Sequence, residues 1–405
     1  MSRIVEYQTL GSLVQEVKPG FACGEEDPNG IFQIRMNNVT KSGSLDLGKR
    51  RRVPASHPGA KKARLRTGDV LFNATNSPEL VGKTLHFNGL DEEVVYSNHF
   101  QRIRVSEDRL DPKYLSLWLA HQYSRGVFRG LCKQWVNQAT VSKENLLALR
   151  VPLPSLAEQK RIAAALEQVD AMRVKRRQAI ALLEDLIHSI FLDMFGDPFN
   201  NPNGFPLHTL DTLVTPGDRI NYGVVQPGTH NDDGVTLIRA GDLHPDGIDR
   251  SSLMKISPDI EASYSRSRIK GNEILVGCVG AIGAVAVVDI EDIGSNVARA
   301  VARVPITSDV DREFLAAYLR MDFVQQYFKR ELRTVAQPTL NIKQLKEAPV
   351  VLPPKNLRAE FVDRARAAAQ QRQTHRAHLV SLNELFTSLQ QRAFSGTLWD
   401  HEAAA

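Results

Sequence analysis

The chain is written twice. Thr9-Leu10-Gly11-Ser12-Leu13-Val14 returns as Thr209-Leu210-Asp211-Thr212-Leu213-Val214, and Arg35 in FQIRMNNV is echoed by Arg239 in TLIRAGDL. Leu65 to Phe72 corresponds to Ile269 to Val276, Ser97-Asn98 to Ser295-Asn296, and Asp111 to Leu115 to Asp311 to Leu315. From Gln138-Ala139-Thr140 and Gln337-Pro338-Thr339 onward the copies hold one register, 199 apart, through Leu153-Pro154 and Leu352-Pro353 to Phe195 and Phe394. A period this long is not a solenoid unit of about 20 to 50 residues but a whole domain with its appendage, duplicated. The order is therefore domain, linker, helix, twice over, with boundaries at 1–150, 151–200, 201–349 and 350–405.

Each domain carries short β-branched runs, such as Val94-Val95-Tyr96 and Ala284 to Val288, broken by Gly, Asn, Asp and Pro clusters that read as turns. Helical periodicity comes late, at Pro112 to Phe128 and Arg312 to Glu331. The expected fold is α+β, two mostly β domains in tandem, each with a helical end.

Val151-Pro152-Leu153-Pro154-Ser155 and Val351-Leu352-Pro353-Pro354 forbid helix, and each is followed by a long helical pattern. Ile162, Leu166, Val169, Arg173, Arg176, Ile180, Leu183, Ile187, Ile190 and Met194 alternate spacings of four and three, which makes a heptad seam. The same positions of the second copy hold Phe361, Ala365, Ala368, Arg372, His375, Leu379, Leu382, Phe386, Leu389 and Ala393. Two matched seams in one chain predict that the helices pair antiparallel about a pseudo-two-fold axis, each a rod of about 60 Å at 1.5 Å per residue. The polar midpoint, Arg173 and Arg176 against Arg372 and His375, cannot form a dry core, so it is expected to splay, hydrate or contact another subunit.

The formal net charge is only +5, so the distribution of charge matters more than its sum. Lys49, Arg50, Arg51, Arg52, Lys61, Lys62, Arg64 and Arg66 follow one another with no acid between them, while Pro54, Pro58 and Gly59 mark a loop. That stretch suits contact with phosphates. Its counterpart, Asp242 to Lys270, mixes Arg250, Lys255, Arg266, Arg268 and Lys270 with acids, among them Asp246, Asp249, Asp259 and Glu261. Frame residues repeat while polar loops differ, as in a scaffold with two distinct reading heads. Base edges are read by polar and cationic side chains on loops or helix ends. The candidates are Asn73, Thr75, Asn76, Ser77 and Lys83 in the first domain, and Arg219, Asn221, Tyr222, Arg239 and His244, with Arg266, Arg268 and Lys270, in the second.

Other chemistries lack their residues. Ser77 to Thr84 ends like a phosphate-binding loop, but Ser77 stands where the first glycine is required. Gly277 to Gly283 is glycine-rich without the GxGxxG order. Asp197-Pro198-Phe199 has no second proline to make an amino-methyltransferase signature, and no HExxH, GxSxG or PDxxxExK occurs. Cys23, Cys132 and Cys278 lie far apart, which fits neither a disulfide framework nor zinc and favours a reducing cytoplasm. The N-terminal MSRIVEYQTL is unlike a signal peptide, and no apolar run approaches a membrane span. The chain reads as a binder and not an enzyme, with no cofactor or metal of its own.

Three local motifs sit in this duplicated order: Gly68-Asp69-Val70-Leu71, Leu153-Pro154-Ser155-Leu156-Ala157-Glu158-Gln159-Lys160-Arg161-Ile162, and Phe195-Gly196-Asp197-Pro198. Across nearly its whole length the chain resembles the DNA specificity subunits of Type I restriction-modification systems. It departs from them where the second copy has Asn272-Glu273 for Gly-Asp and lacks the Glu-Gln pair after Leu352-Pro353-Pro354. The resemblance implies two target-recognition domains, each reading half of a bipartite site in double-stranded DNA, with the paired helices setting the unread spacer. It further implies partners: two modification subunits with S-adenosylmethionine, and restriction subunits using ATP and magnesium. The rival reading is a coiled-coil scaffold whose β domains bind proteins. A methyltransferase or nuclease acting alone is a third, disfavoured by the missing motifs.

Overall fold

The computed structural model describes residues 6–135, 138–332 and 338–398. By contacts the chain divides into two compact units, Met1–Lys175 with Leu379–Ala405, and Arg176–His378. Gln337, cited in the repeat above, lies outside the described residues.

The duplication is carried by strand register. In the first unit Val14–Pro19, Phe100–Val105, Val70–Asn73 and Thr84–His86 form a four-stranded antiparallel sheet in that order; in the second the order is Asn221–Tyr222, Val301–Pro305, Glu273–Gly277 and Val285–Val287. A second sheet sets Ile31–Ile34 between antiparallel Arg52–Val53 and parallel Val94–Tyr96. Its counterpart sets Val235–Ile238 between Met254–Ile256 and Asn296–Val297 in the same senses. A third pairs Tyr7–Thr9 with Arg150–Pro152, and Leu207–Thr209 with Pro349–Val351. Close backbone approach is duplicated too: a Cβ on Gly30 or Gly234 would lie 2.1 Å from the carbonyl oxygen of Val53 or Ile256 respectively, so neither position accepts a side chain.

The register corrects one equivalence. Ile34 pairs with Tyr96 and Ile238 with Val297, so Ser97-Asn98 corresponds to Ala298-Arg299 and not to Ser295-Asn296. Asn98 is exposed in a loop, whereas Asn296 is a fully buried strand residue. The late helical stretches are each broken into two helices, Pro112–Ser124 with Val127–Leu131, and Arg312–Arg320 with Asp322–Arg330.

The Gly-Asp strand lead-in is structural. Asp69 accepts the Arg66 N–H at 2.8 Å and the Arg104 guanidinium at 2.6 and 3.0 Å. Glu273 accepts the Lys270 and Gly271 N–H groups at 2.9 and 2.7 Å and the fully buried Arg303 at 2.8 Å. An acid is needed there because it ties off a turn and compensates a strand arginine, and Asp or Glu serves.

The long helices run Leu156–Phe195 and Lys355–Ser395. Ser155 and Glu158 bond each other's backbone N–H groups, a capping box at the first helix start. Gln159, fully buried, takes the Asp111 N–H at 2.8 Å and donates to the carbonyls of Arg109 and Pro154, both at 3.0 Å. In the second copy Arg358 fills that place, bonding Asp311 at 3.1 Å and the Asp309 carbonyl at 2.6 Å, so the missing glutamine is replaced, while Leu357 stands where Glu158 caps the first helix. Both helices stop at a glycine of positive φ, Gly196 at 74° and Gly396 at 83°.

Within the first unit, Ile162, Ala163 and Leu166 near the start of the first long helix share a core with Phe386, Leu389, Ala393 and Phe394 near the end of the second. Within the second unit, Ile187, Ile190, Phe191 and Phe195 near the end of the first helix pack with Phe361 and Val362 near the start of the second. Phe191 and Phe195 lie edge-on to Phe361 at 5.5 and 5.6 Å. The helices therefore pair antiparallel, through the predicted seam. Val169 is buried in it, and Ile180, Leu183, Leu379 and Leu382 are half-buried.

Each cation of the polar midpoint has a partner within its own unit. Arg173 stacks on Phe386, 4.3 Å from the ring centroid, and donates to Asn383 and Asp170 at 2.8 and 2.7 Å. Arg176 Nη1 lies 3.0 Å from His375 Nδ1. Buried Arg372 is bonded by Asp246, at 2.6 Å from its Nε, with Glu184 at 3.6 Å. Ion pairs satisfy Arg372 and Arg173, the latter with a cation–π contact as well, and Arg176 meets the His375 ring nitrogen.

Candidate nucleic-acid interface

The basic run is compensated from a distance, against expectation. Arg50 and Arg52 share Glu92 at 2.8 and 2.5 Å, and Arg52 also donates to the Gly30 carbonyl at 2.9 Å. Arg51 is held by the carbonyls of Cys23 and Gly24, both at 2.8 Å, and by Glu26 at 3.3 Å. Arg64 pairs with Glu93 at 2.7 Å. Glu92 and Glu93 lie some forty residues further along the chain, and pairing across strands brings them back. Lys49, Lys61, Lys62 and Arg66 remain exposed, without an ion pair among the described residues.

The polar candidates of the first domain are largely internal. Asn73, fully buried, donates to the carbonyls of Thr75 and His99 at 3.2 Å. Asn76 donates to Asn73 at 2.6 Å and accepts the Ser77 N–H at 2.8 Å, while Thr75 bonds Thr140 at 3.1 Å. Lys83 is 6% exposed and its ammonium donates to the carbonyls of Met36 and Val39. Burial lowers its pKa. Asn73, Asn76 and Lys83 are corrected to loop supports, because every polar atom they own is spent inside the fold; Ser77 is half-buried.

The second domain divides similarly. Tyr222 donates to the Leu340 carbonyl at 2.8 Å, and burial pushes its hydroxyl up to about 12. Asn221 donates to the Arg266 carbonyl at 3.0 Å. Arg239 is clamped by Asp242 at 3.1 and 3.2 Å, Arg268 by Glu261 at 2.8 Å, and Lys270 by Asp218 at 2.9 Å. Arg219, His244 and Arg266 are exposed, His244 on the hairpin of Leu243–His244 and Gly247–Ile248. Asp246 at that hairpin's tip, which bonds Arg372 and Arg376 of the second long helix, was missed; its partners lie too far along the chain for spacing to reveal.

Cys278 is buried, which pushes its thiol up to about 12 and leaves no thiolate at neutral pH. Among the described residues there is no cluster of three or more metal-ligating side chains, and no helix long and apolar enough to cross a membrane.

Two like frames with unlike exposed side chains and a shared helical seam are now in place, and comparison with known proteins names them. A family model described as the Type I restriction modification DNA specificity domain matches twice, over residues 53–184 and 218–368. The chain belongs to that family. The EcoBI specificity subunit of Escherichia coli is 31% identical to this specificity subunit over 359 residues, 79% of this chain and 73% of that one. The putative MjaX specificity subunit of Methanocaldococcus jannaschii is 29% identical over 167 residues, covering 41% and 39% of the two chains. The solved S subunit of a Type I restriction-modification system from M. genitalium shares the fold, with a TM-score of 0.61 and 97% of each chain covered at 15% identity. A chain from a study of complex assembly and conformational transition of the type I R-M system gives 0.53, with 97% and 98% covered at 18% identity. The protein is a specificity subunit that recognises DNA sequence for a Type I restriction-modification system.

Proposed function

We propose that this subunit reads a bipartite site in double-stranded DNA, one half per recognition domain, with the paired long helices setting the unread gap. The observation that carries the reading is the duplicated frame: three sheets of like strand order in each copy, with different exposed side chains at equivalent loop positions. Two like frames dock alike, and unlike side chains read unlike sequences. Helices of 40 and 41 residues, at 1.5 Å each, are about 60 Å long, enough to hold grips about one DNA turn apart.

The subunit catalyses no reaction in this reading. It brings modification subunits, two of them in keeping with its duplication, and restriction subunits to the site. S-adenosylmethionine, ATP and magnesium belong to those partners, and the complex works in the cytoplasm. Mapping methylated adenines across the genome of a host with and without the gene tests it. A bipartite motif with a fixed gap should vanish when the gene is deleted; a methylome that is unchanged, or a motif of one continuous block, rejects the reading.

A further inference from the structure

We infer that Arg35 and Asn98, supported by His99, read bases of one half-site, and that Arg299 reads bases of the other. This rests on the bipartite reading above and names its contact residues. Val94–Tyr96 runs parallel to Ile31–Ile34, so both strands of that pair end on the same edge of the sheet. Arg35 follows one end; Ser97, Asn98 and His99 follow the other, where the Ser97 N–H meets the Ile34 carbonyl at 3.0 Å.

Arg35 and Asn98 are exposed, and among the described residues no carboxylate pairs with Arg35. Their backbones are nonetheless fixed. The Arg35 N–H donates to buried Asn38 at 3.0 Å, and Asn38 is itself anchored on the carbonyls of Asp46 and Lys49 at 3.0 and 2.7 Å. The His99 carbonyl takes the N–H groups of Ala74 and Thr75 at 2.9 and 3.2 Å and the Asn73 amide at 3.2 Å. The asparagines set aside as readers thus hold the edge rigid. Burial and the nearby Arg35 lower the His99 pKa, which leaves the ring neutral with one donor and one acceptor.

Phosphate contacts lie beside this edge. Phe21 accepts the Asn98 N–H at 3.2 Å, and its ring stacks on His57, the cap of the short helix Pro58–Lys62 that ends in Lys61 and Lys62. Arg64 then bridges Val95 antiparallel, so that helix leads in from the Ser97–Asn98 end. A rigid edge with an unpaired arginine and an asparagine, flanked by lysines, matches a major groove: Arg grips guanine O6 and N7, Asn grips adenine N6 and N7.

In the second domain the same two strand ends carry Arg239 and Arg299. Asp242 stands where the first domain has Asn38, and it clamps Arg239. Arg299, at the position of Asn98, has no such clamp; it is exposed and its N–H donates to the Val224 carbonyl at 2.8 Å.

The test uses the full-length subunit with its modification subunits, selecting methylated or bound duplexes from a library randomised at the wild-type motif. Arg35→Ala and Asn98→Ala should each lose roughly five- to 150-fold discrimination at a base of one half-site, and Arg299→Ala the same at the other. Arg35→Lys, which keeps the charge, should lose the discrimination too, because a point charge cannot replace the fork. Affinity of the Asn98→Ala complex for random DNA and its salt slope should match wild type. Retained discrimination in the variants, relaxation of the same half-site by Arg35→Ala and Arg299→Ala, or a uniform loss of binding overturns the assignment. A wild-type complex that shows no bipartite preference would sink the functional reading instead.

Discussion

Replacing Asp246 by Ala probes how the second recognition domain is fastened to its helix. The carboxylate bonds Arg372, whose side chain is 5% exposed, and Arg376 on the next turn. Arg320 is close enough to feel both Asp246 and Arg372, and burial brings its pKa down to about 10. Without Asp246, Arg372 and Arg376 share one carboxylate, Glu184, whose nearest approach is 3.6 Å to the first and 3.3 Å to the second. Removing one partner of a buried pair costs about 3 to 5 kcal/mol, because the charge left behind is neither solvated nor paired. For a unit of this size that is about 6 to 20 °C in its melting transition, at about 2 to 4 °C per kcal/mol. Calorimetry of the full chain should show the drop in one transition, and hydrogen exchange should place it in the hairpin and the facing part of the second long helix. The double variant Asp246→Ala with Arg372→Met removes both charges and should recover much of the loss. A cost under about 1 kcal/mol for Asp246→Ala, or no recovery in the double variant, refutes the reasoning.

Neutralising Lys49, Lys61, Lys62 and Arg66 should weaken binding to every duplex and flatten its salt dependence by about 0.9 for each phosphate that is no longer neutralised, read from titrations at several salt concentrations. Arg52→Ala, by contrast, removes a partner of Glu92 and should lower the melting temperature while leaving the salt slope alone. Arg303 holds the Asp218 carboxyl well below the usual range, and Arg268 lowers the pKa of Glu261. The unfolded chain therefore binds more protons in acid, so this stability is complete above the ordinary carboxylate pKa of about 4 and drains away as pH falls below it. Asp218→Asn should lower stability at neutral pH and shrink that acid-side loss, as measured by denaturant melts from pH 7 to pH 3. Inserting one heptad into each long helix keeps the seam in phase and adds about 10 Å, so the selected gap should grow by about three base pairs with both half-sites intact. An unchanged gap with one half-site lost counts against the ruler.

What could be read from sequence and what could not divide along one physical line. Helix length, seam phase and the long period are properties of neighbours along the chain, so two matched rods within 151–200 and 350–405 are legible in the sequence, and the structure bounds them at Leu156–Phe195 and Lys355–Ser395. Charge compensation is not local. Arg50 looks free until a strand brings Glu92 across to it, and Arg372 looks like a flaw in the seam until a hairpin 126 residues upstream delivers Asp246. Register is non-local as well: two matching letters, Ser-Asn, favoured an equivalence that the ladder moves by three residues, and that shift brings Arg299 opposite Asn98.

The same line separates supports from readers. A side chain whose hydrogen bonds are all made within the fold cannot also read a base without breaking them, at a cost of about 1 to 3 kcal/mol for each buried polar group left unpaired. Asn73, Asn76, Lys83 and Tyr222 are held in this way; Arg239 is held in part, its Nε and Nη2 bonded to Asp242 and to the Ser252 carbonyl. Asn38 in one copy and Asp242 in the other both accept the N–H of the arginine three residues before, beside strand pairs of the same register. In the reading proposed above, that exchange holds Arg239 on the fold and leaves Arg35 for DNA, so one frame can acquire a new specificity through residues that never touch a base.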